Sequence, residues 1–442
     1  MLGIEAGGFG MPGSSKAGQW ARFFKYCHLF GGIFTLVALS ACATAPRFHL
    51  PKGNPQPYLS RALKDVKSQD GVRVTMAVLR PDESEAVFGL PLADQGIQPV
   101  WLRIENSGDT SFRFMPVFLD RDYYSAREVA FLFHSSSADD AGIERELTSQ
   151  QMPLYIPPHG TVSGYVYTNR SLGMKLVNVE LLGHRQLLRF SFARTLPSGE
   201  FDYGSLDVEK LYAKDRLQDL PIDSLRSALS AMPCCTTDEP GKTLGDPLNV
   251  VVVGDEQEIL LAFVRGGWDF TDTVNSGTVR RMVSSFLFGN PYRNAPVSPL
   301  YFEGRHQDFA MQRARSTVSQ RNHMRLWLTP LRVEGKPVWI AQVSRDIGVR
   351  FTKKTPFLTT HAIDPDVDEA RDFVLEDLLV TGSLAQWGLV RGVGEARIDK
   401  PRTNLTGDHY FTDGLRLVLF VSTTNRAITD VEMLGWETVP SR

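Results

Sequence analysis

Short apolar and alternating runs recur through the first half of the chain, at Val72–Val78, Pro99–Ile104, Phe112–Phe114, Gly164–Tyr167, Leu176–Leu182 and Leu187–Phe192. Turn formers separate them, among them Asn106-Ser107-Gly108-Asp109 and Pro157-Pro158-His159-Gly160. A period of two buries one face of a strand, so a succession of short strands with turns between predicts an antiparallel sandwich over residues 60–205. An all-β, immunoglobulin-like domain is the expected fold there. Leu206–Leu217 and Ile222–Met232 then switch to helical spacing, and Cys234-Cys235 with Asp238-Glu239-Pro240-Gly241 breaks it. Residues 206–244 are therefore expected as a helical linker, with a boundary near 235.

From 245 to 425 the pattern is mixed. Leu248–Val253 is a wholly apolar strand ending at Gly254. Asp255 can cap a helix with Glu258 in the reciprocal position, and Ile259, Leu260, Phe263 and Val264 share its apolar face before Gly266-Gly267 stops it. Val279, Met282, Val283, Phe286 and Leu287 predict a second helix from Ser276. Strands are expected at Leu300–Phe302, Met324–Leu328 and Val338–Val343, a long helix from Pro365 to about Leu384, and closing strands at Gly388–Val393 and Leu415–Val421. This makes an α+β domain with a mainly antiparallel sheet and three principal helices, followed by a tail from 426 to 442.

The chain has 442 residues, 42% hydrophobic and 22% charged, enough to fill two ordinary cores. Its net charge of -2 supplies no basic field, which argues against nucleic acid as a partner. Near the start, Lys16, Arg22, Lys25 and His28 precede an apolar run from Leu29 to Leu39. That run is far shorter than the roughly 20 residues of a membrane-spanning helix and reads as a signal peptide, residues 1–41. It closes on Leu39-Ser40-Ala41-Cys42, which resembles the lipobox of bacterial lipoproteins. The resemblance implies that the Cys42 thiol is lipidated, palmitate included, and that the mature chain faces the cell envelope of a Gram-negative cell on a membrane anchor. Ala43 in the next position favours the outer membrane over the inner. Pro46, Pro51, Gly53, Pro55 and Pro57 then make residues 42–59 a tether.

Only Cys234 and Cys235 remain in the mature protein. Neighbouring cysteines strain a bridge between them, so a free pair in a loop is expected.

Several ordered blocks carry a more specific likeness. Asp246-Pro247-Leu248-Asn249, Leu300 to Ala310 with Gly304-Arg305-His306-Gln307-Asp308, Asn322-His323-Met324-Arg325-Leu326-Trp327, Thr360 to Asp372 and Gly407 to Gly414 follow one another in this chain. Together they resemble the LssY C-terminal domain family over residues 245–425. Relatives in that family often carry the domain beside membrane segments of lipid-phosphatase or DedA type. The resemblance therefore implies envelope biology and a possible membrane-protein partner there, and it transfers no catalytic residue.

Within these blocks His361, Asp364, Asp366, Asp368 and Asp372 crowd one loop-to-helix junction. His361, Asp364 and Asp368 are candidate ligands for a divalent metal, while Arg305, Asp308, His323, Arg325, Trp327, Arg371, Asp408 and Asp413 are candidate ligand-binding residues. Helix-start chemistry competes for the same carboxylates, because Asp364 before Pro365 makes a good cap and acids in a first turn complement the helix dipole. His323, Arg325 and Trp327 alternate along one strand face, as a ligand wall or as a polar network beneath a helix. A ligand-binding or scaffolding envelope module is the reading these residues favour. A periplasmic metal-dependent hydrolase acting on phosphorylated lipid or envelope polymer is the alternative.

Overall fold

The computed structural model describes residues 63–134, 140–171, 174–196, 210–271, 297–314, 321–351 and 359–439. The signal, Cys42, the tether and the helix expected from Ser276 lie outside them.

Two four-stranded antiparallel sheets form the N-terminal region. The first holds β1 (Leu63–Gln69), β2 (Val72–Val78), β3 (Ile97–Asn106) and β6 (Thr161–Asn169), paired in that order. The second runs β5 (Tyr155–Ile156), β4 (Phe112–Phe114), β7 (Met174–Gly183), β8 (Gln186–Thr195). Alternation explains the packing. Val72, Val74 and Met76 from β2 and Val100, Leu102 and Ile104 from β3 meet Val177, Val179, Phe190 and Phe192 of the facing sheet in one core. The opposite face of the first sheet is also covered, by helices α1 (Pro81–Phe88), α2 (Ala126–Leu132) and α3 (Asp140–Ser149). The all-β expectation is thus corrected: the region is β-rich with a helical layer, and Ala77, Tyr165 and Tyr167 pack Phe88, Val129 and Leu147 there. A reciprocal cap starts α2, with Ser125 Oγ accepting from the Glu128 amide at 3.2 Å and the Glu128 carboxylate from the Ser125 amide at 2.7 Å.

The joint is less helical than its spacing predicts. Lys214–Arg216 is a single 3-10 turn, and β9 (Gln218–Leu220) adds to the C-terminal sheet before α4 (Ile222–Ala231) begins. Backbone pairing with the larger sheet outcompetes weak local helix propensity there. Leu225 and Leu229 of α4 sit in the C-terminal core.

That core is built on a ten-stranded mixed sheet, mostly antiparallel. Its strands beyond β9 are β12 (Val250–Val253), β13 (Asp269–Phe270), β16 (Phe309–Ala314), β17 (Arg321–Val333), β18 (Lys336–Phe351), β19 (Thr359–Ile363), β20 (Leu384–Arg391), β23 (Leu415–Val421) and β24 (Glu432–Met433). Its one long path runs β13-β16-β17-β18-β12-β23-β20-β24, with β19 and β9 paired at β18 and β17. A second small sheet holds β10 (Cys235–Thr237), β11 (Leu244–Pro247), β14 (Tyr301–Phe302) and β15 (Arg305–His306), and β21 (Arg402–Thr403) pairs β22 (His409–Tyr410). On one face of the large sheet lie α5 (Glu256–Arg265) and α6 (Val367–Val380), contributing Ile259, Phe263, Ala370, Val374 and Leu378. The other face is covered by α4 with Leu248, Leu300 and Phe302. With both faces buried, Val250–Val253 can be apolar at every position.

Leu176 of β7 packs into the C-terminal core, and charge joins the two regions beside it. Arg265 of α5 pairs with Glu180 of β7 with both side chains buried, and Arg189 lies 3.5 Å from the same carboxylate. Burial pushes Glu180 up against the pull of Arg265 and Arg189, and lowers Arg189 to about 9.

Candidate functional site

Strands β16, β17 and β18 run antiparallel, and their register lines up polar residues across the sheet. His323 stands opposite Gln312 on one side and Ser344 on the other; Arg325 stands between Ala310 and Gln342. The residues between them, Met311, Met324 and Val343, face the helices. The opposite face therefore carries an aligned polar patch that continues the apolar floor of Trp327 and Ile340.

Hydrogen bonds fix every member of the patch. His323 Nε2 lies 2.8 Å from Asp346 Oδ1, and Arg321 donates Nε to Asp346 Oδ2 at 3.1 Å and also binds Gln312. Arg325 gives Nη1 to His323 Nδ1 at 3.1 Å and to Gln342 Oε1 at 2.8 Å, and Nε to the Ser298 carbonyl at 3.0 Å. A guanidinium can only donate, so His323 Nδ1 must accept, and its single proton sits on Nε2, directed at Asp346. The ring is neutral. Burial lowers its pKa, the charges of Arg325 and Arg321 add to that, and Asp346 opposes both.

Asp246 on β11 lies near enough to this patch for Arg325 and His323 to act on it through charge. Asp246 accepts from Asn404 Nδ2 at 2.9 Å through one carboxylate oxygen, and Asn404 in turn accepts from the Asp408 amide at 2.9 Å. Thr406 bridges Asn404 and Asp408 through its hydroxyl, at 2.9 and 2.7 Å. Asp246 is 9% exposed and Arg325 5%. Burial lowers Arg325 to about 10, with Asp246 pulling the other way; burial raises Asp246, with Asn404, Arg325 and His323 pulling it down. The two charges feel each other, yet among the described residues neither forms an ion pair at 4.0 Å or less. A buried cation and a buried anion thus act on each other through charge without an ion pair between them.

The other residues singled out in the sequence fall into separate clusters. Arg305 binds Asp308 at 2.6 Å, the Leu328 carbonyl at 2.8 Å and the Tyr212 hydroxyl at 3.1 Å, while Asp308 accepts from the Leu328 amide at 2.6 Å. Trp327 is fully buried and donates Nε1 to the Arg305 carbonyl at 3.1 Å. These three lock the hairpin of β14 and β15 onto β17. Arg371, 1% exposed, holds Asp413 through two parallel hydrogen bonds of 2.8 and 3.0 Å and adds Asp368 at 3.3 Å and Asp372 at 2.9 Å. Asp368 also accepts from the Thr412 hydroxyl and the Asp413 amide, both at 2.7 Å. Its oxygens therefore tie the start of α6 to the loop before β23. Asp366, not Asp364, caps α6, accepting from the Asp368 amide at 3.2 Å, and Asp364 accepts from the Asp366 amide at 3.1 Å. His361 lies on β19 with its side chain outside the described set. Among the described residues no group of three or more His, Cys, Asp or Glu side chains is placed to hold a metal ion.

Some participants went unnoticed in the sequence. Gln342, Ser344 and Asp346 recur at every second position of a strand that is apolar from Val338 to Ala341, a signal for a polar face that was there to be read. Arg416 carried none: it is fully buried and donates to the carbonyls of Leu248 at 3.0 Å, Met232 at 3.1 Å and Gly392 at 3.1 Å, and to those of Leu229 and Pro233. Burial with no carboxylate partner lowers it to about 10. The expectation of a free cysteine pair is corrected as well. Cys234 and Cys235 are bridged, with Cα atoms 3.7 Å apart. The peptide bond itself sets that spacing, so what the bridge requires is side-chain torsions that bring the two sulfurs together.

Residues 227–415 match the LssY C-terminus family, spanning α4 through the first residue of β23. No curated protein matches the chain.

Proposed function

We propose that this chain is a lipid-anchored cell-envelope protein whose LssY-type domain is a ligand-binding module, with the ligand seated between Arg325 and Asp246. One observation supports this above the others: a buried guanidinium and a buried carboxylate act on each other through charge without forming an ion pair. Taking an ion out of water costs several kcal/mol unless a partner answers it. A molecule that accepts from the guanidinium and donates to the carboxylate offsets both costs at once. The neighbours are suited to positioning such a molecule. His323, Gln342 and Ser298 hold the guanidinium plane, and Asn404 holds the carboxylate, so recognition needs no rearrangement of either group. In this reading the N-terminal sandwich is an immunoglobulin-like spacer, and Cys42 carries the lipid that fixes the whole at the membrane surface. No helix among the described residues is long and apolar enough to cross a membrane.

Native mass spectrometry of the full chain, extracted from expressing envelopes in mild detergent, tests the reading. The expected wild-type mass exceeds the polypeptide by a diacylglyceryl-type adduct, lost in Cys42→Ser, and by a small non-covalent molecule, lost in Arg325→Met and Asp246→Asn but kept in Cys42→Ser. A wild-type protein with no non-covalent mass under these conditions, or a mass that survives in both Arg325→Met and Asp246→Asn, sinks the ligand site. Absence of the lipid adduct sinks the anchor.

A further inference from the structure

The Cys234–Cys235 disulfide is unusual in its surroundings as well as its spacing. Cys234 is half-buried, whereas Cys235 is 2% exposed. The Cys235 sulfur lies 4.0 Å from the Tyr410 hydroxyl. A disulfide sulfur has no hydrogen to give, so the phenol is the donor. The charge of Arg402 opposes the upward push of burial on Tyr410. The surrounding backbone is clamped: Arg416 holds the carbonyls of Met232 and Pro233, and the Cys234 carbonyl accepts from the Leu248 amide at 2.9 Å.

These features differ from those of an inert structural bridge. Joining neighbours closes almost no loop, so the link constrains the unfolded chain very little and contributes little stability by that route. What it presents is one approachable sulfur and one sheltered sulfur with a hydrogen-bond donor beside it. We propose that Cys234–Cys235 is a thiol–disulfide exchange site whose co-substrate is a dithiol, with Cys234 the attacked sulfur and Cys235 the leaving one. A thiolate of the dithiol bonds to Cys234 Sγ, the Cys234–Cys235 bond breaks, and its electron pair goes to Cys235, where the Tyr410 hydroxyl stabilises the thiolate. The second thiol of the dithiol then attacks its own sulfur in the mixed disulfide and releases Cys234. Two electrons and two protons pass to the protein, and the dithiol leaves as a disulfide. The proposal stands apart from the ligand reading, since none of its steps involves Arg325 or Asp246.

The test uses the folded full chain and two probes. Dithiothreitol should open the bridge at concentrations that leave the fold intact, giving two alkylatable thiols, and Tyr410→Phe should slow this roughly fivefold, the weight of one hydrogen bond to the leaving group. Glutathione, a monothiol, should give a mixed disulfide that rapid alkylation of Cys235 traps before the bridge recloses, and peptide mapping should place it on Cys234. A folded protein that yields no thiols under conditions that reduce the urea-unfolded chain overturns the proposal. So does glutathione on Cys235, or a folded Tyr410→Phe protein reduced as fast as wild type.

Discussion

The two halves of this molecule bury sheets in opposite ways. The N-terminal sandwich fills the space between its sheets chiefly with aliphatic and aromatic side chains, from Val72 through Phe192, with the amide of Asn106 at its edge. The C-terminal domain encloses Arg321, His323, Arg325, Asp346, Asp368, Arg371 and Arg416. An apolar core asks only for suitable volume and alternation and tolerates exchange among Val, Ile and Leu. A polar interior asks for particular atoms at particular places, because an unanswered buried group costs its full desolvation. The first half can therefore drift in sequence while keeping its fold; the second is specified residue by residue.

The largest effect expected from that contrast comes from removing one cation of the polar interior. Arg371→Leu keeps the volume but strands Asp368 and Asp413, which the guanidinium holds at 3.3 Å and through paired contacts of 2.8 and 3.0 Å. Breaking a buried pair by deleting one partner costs about 3–5 kcal/mol. Urea unfolding should show this as a lower midpoint with the slope retained. A loss below about 1 kcal/mol would mean that the stranded carboxylates find water or protons readily, and the contrast with the sandwich would shrink accordingly.

The same contrast explains what could be read from the sequence. Strands β2, β3, β4, β6, β7 and β8 show as alternation, since each has a core on at least one side. Helix α2 was missed although Ser125 and Glu128 stand in capping-box spacing, because seven residues are too few for a periodic stripe. In the C-terminal domain the motif blocks marked His323, Arg325 and Asp408 and the order of elements, but not their grouping. Arg305 is in chain proximity to Asp308 and the pair could be guessed; Arg371 reaching Asp413 and Arg325 lying near Asp246 depend on strand order, which no local pattern encodes. Arg416 is the extreme case, since its partners are backbone carbonyls and leave no trace in residue identity.

A smaller effect should appear with pH. In the unfolded chain an imidazole takes up its proton near pH 6.5, while the folded His323 is held neutral by burial beside Arg325 and Arg321, with Asp346 opposing and Asp246 coupled to it through charge. Below that pH the unfolded chain binds more protons than the folded one, so stability must fall as pH falls. The group contributes up to about 1.4 kcal/mol of this loss between pH 7.5 and 5.5. His323→Gln should remove it. The glutamine amide can donate to Asp346 and its carbonyl can accept from Arg325, as the neutral ring does, but it cannot titrate. Buried carboxylates with raised pKa, such as Asp308 and Asp377, drive stability the opposite way and are common to both proteins. The comparison is therefore the difference between the two urea-unfolding profiles, and parallel profiles would show that the ring protonates in place at no cost.

The smallest effect should come from charge on the outside of the N-terminal region. Arg127 of α2 meets Glu144 of α3 at 2.8 Å, with the two side chains 79% and 48% exposed. Water and salt screen such a pair, and holding two long side chains in one geometry costs rotamer freedom. Arg127→Ala should change the unfolding free energy by no more than about 0.5 kcal/mol, and by less still in high salt. The contacts are as short as those around Arg371, so distance is nearly constant between the two experiments and enclosure is what differs. If the exposed variant lost as much as the enclosed one, burial could not be the variable that separates the halves of this molecule, and the specification assigned to the C-terminal interior would have to come from something other than desolvation.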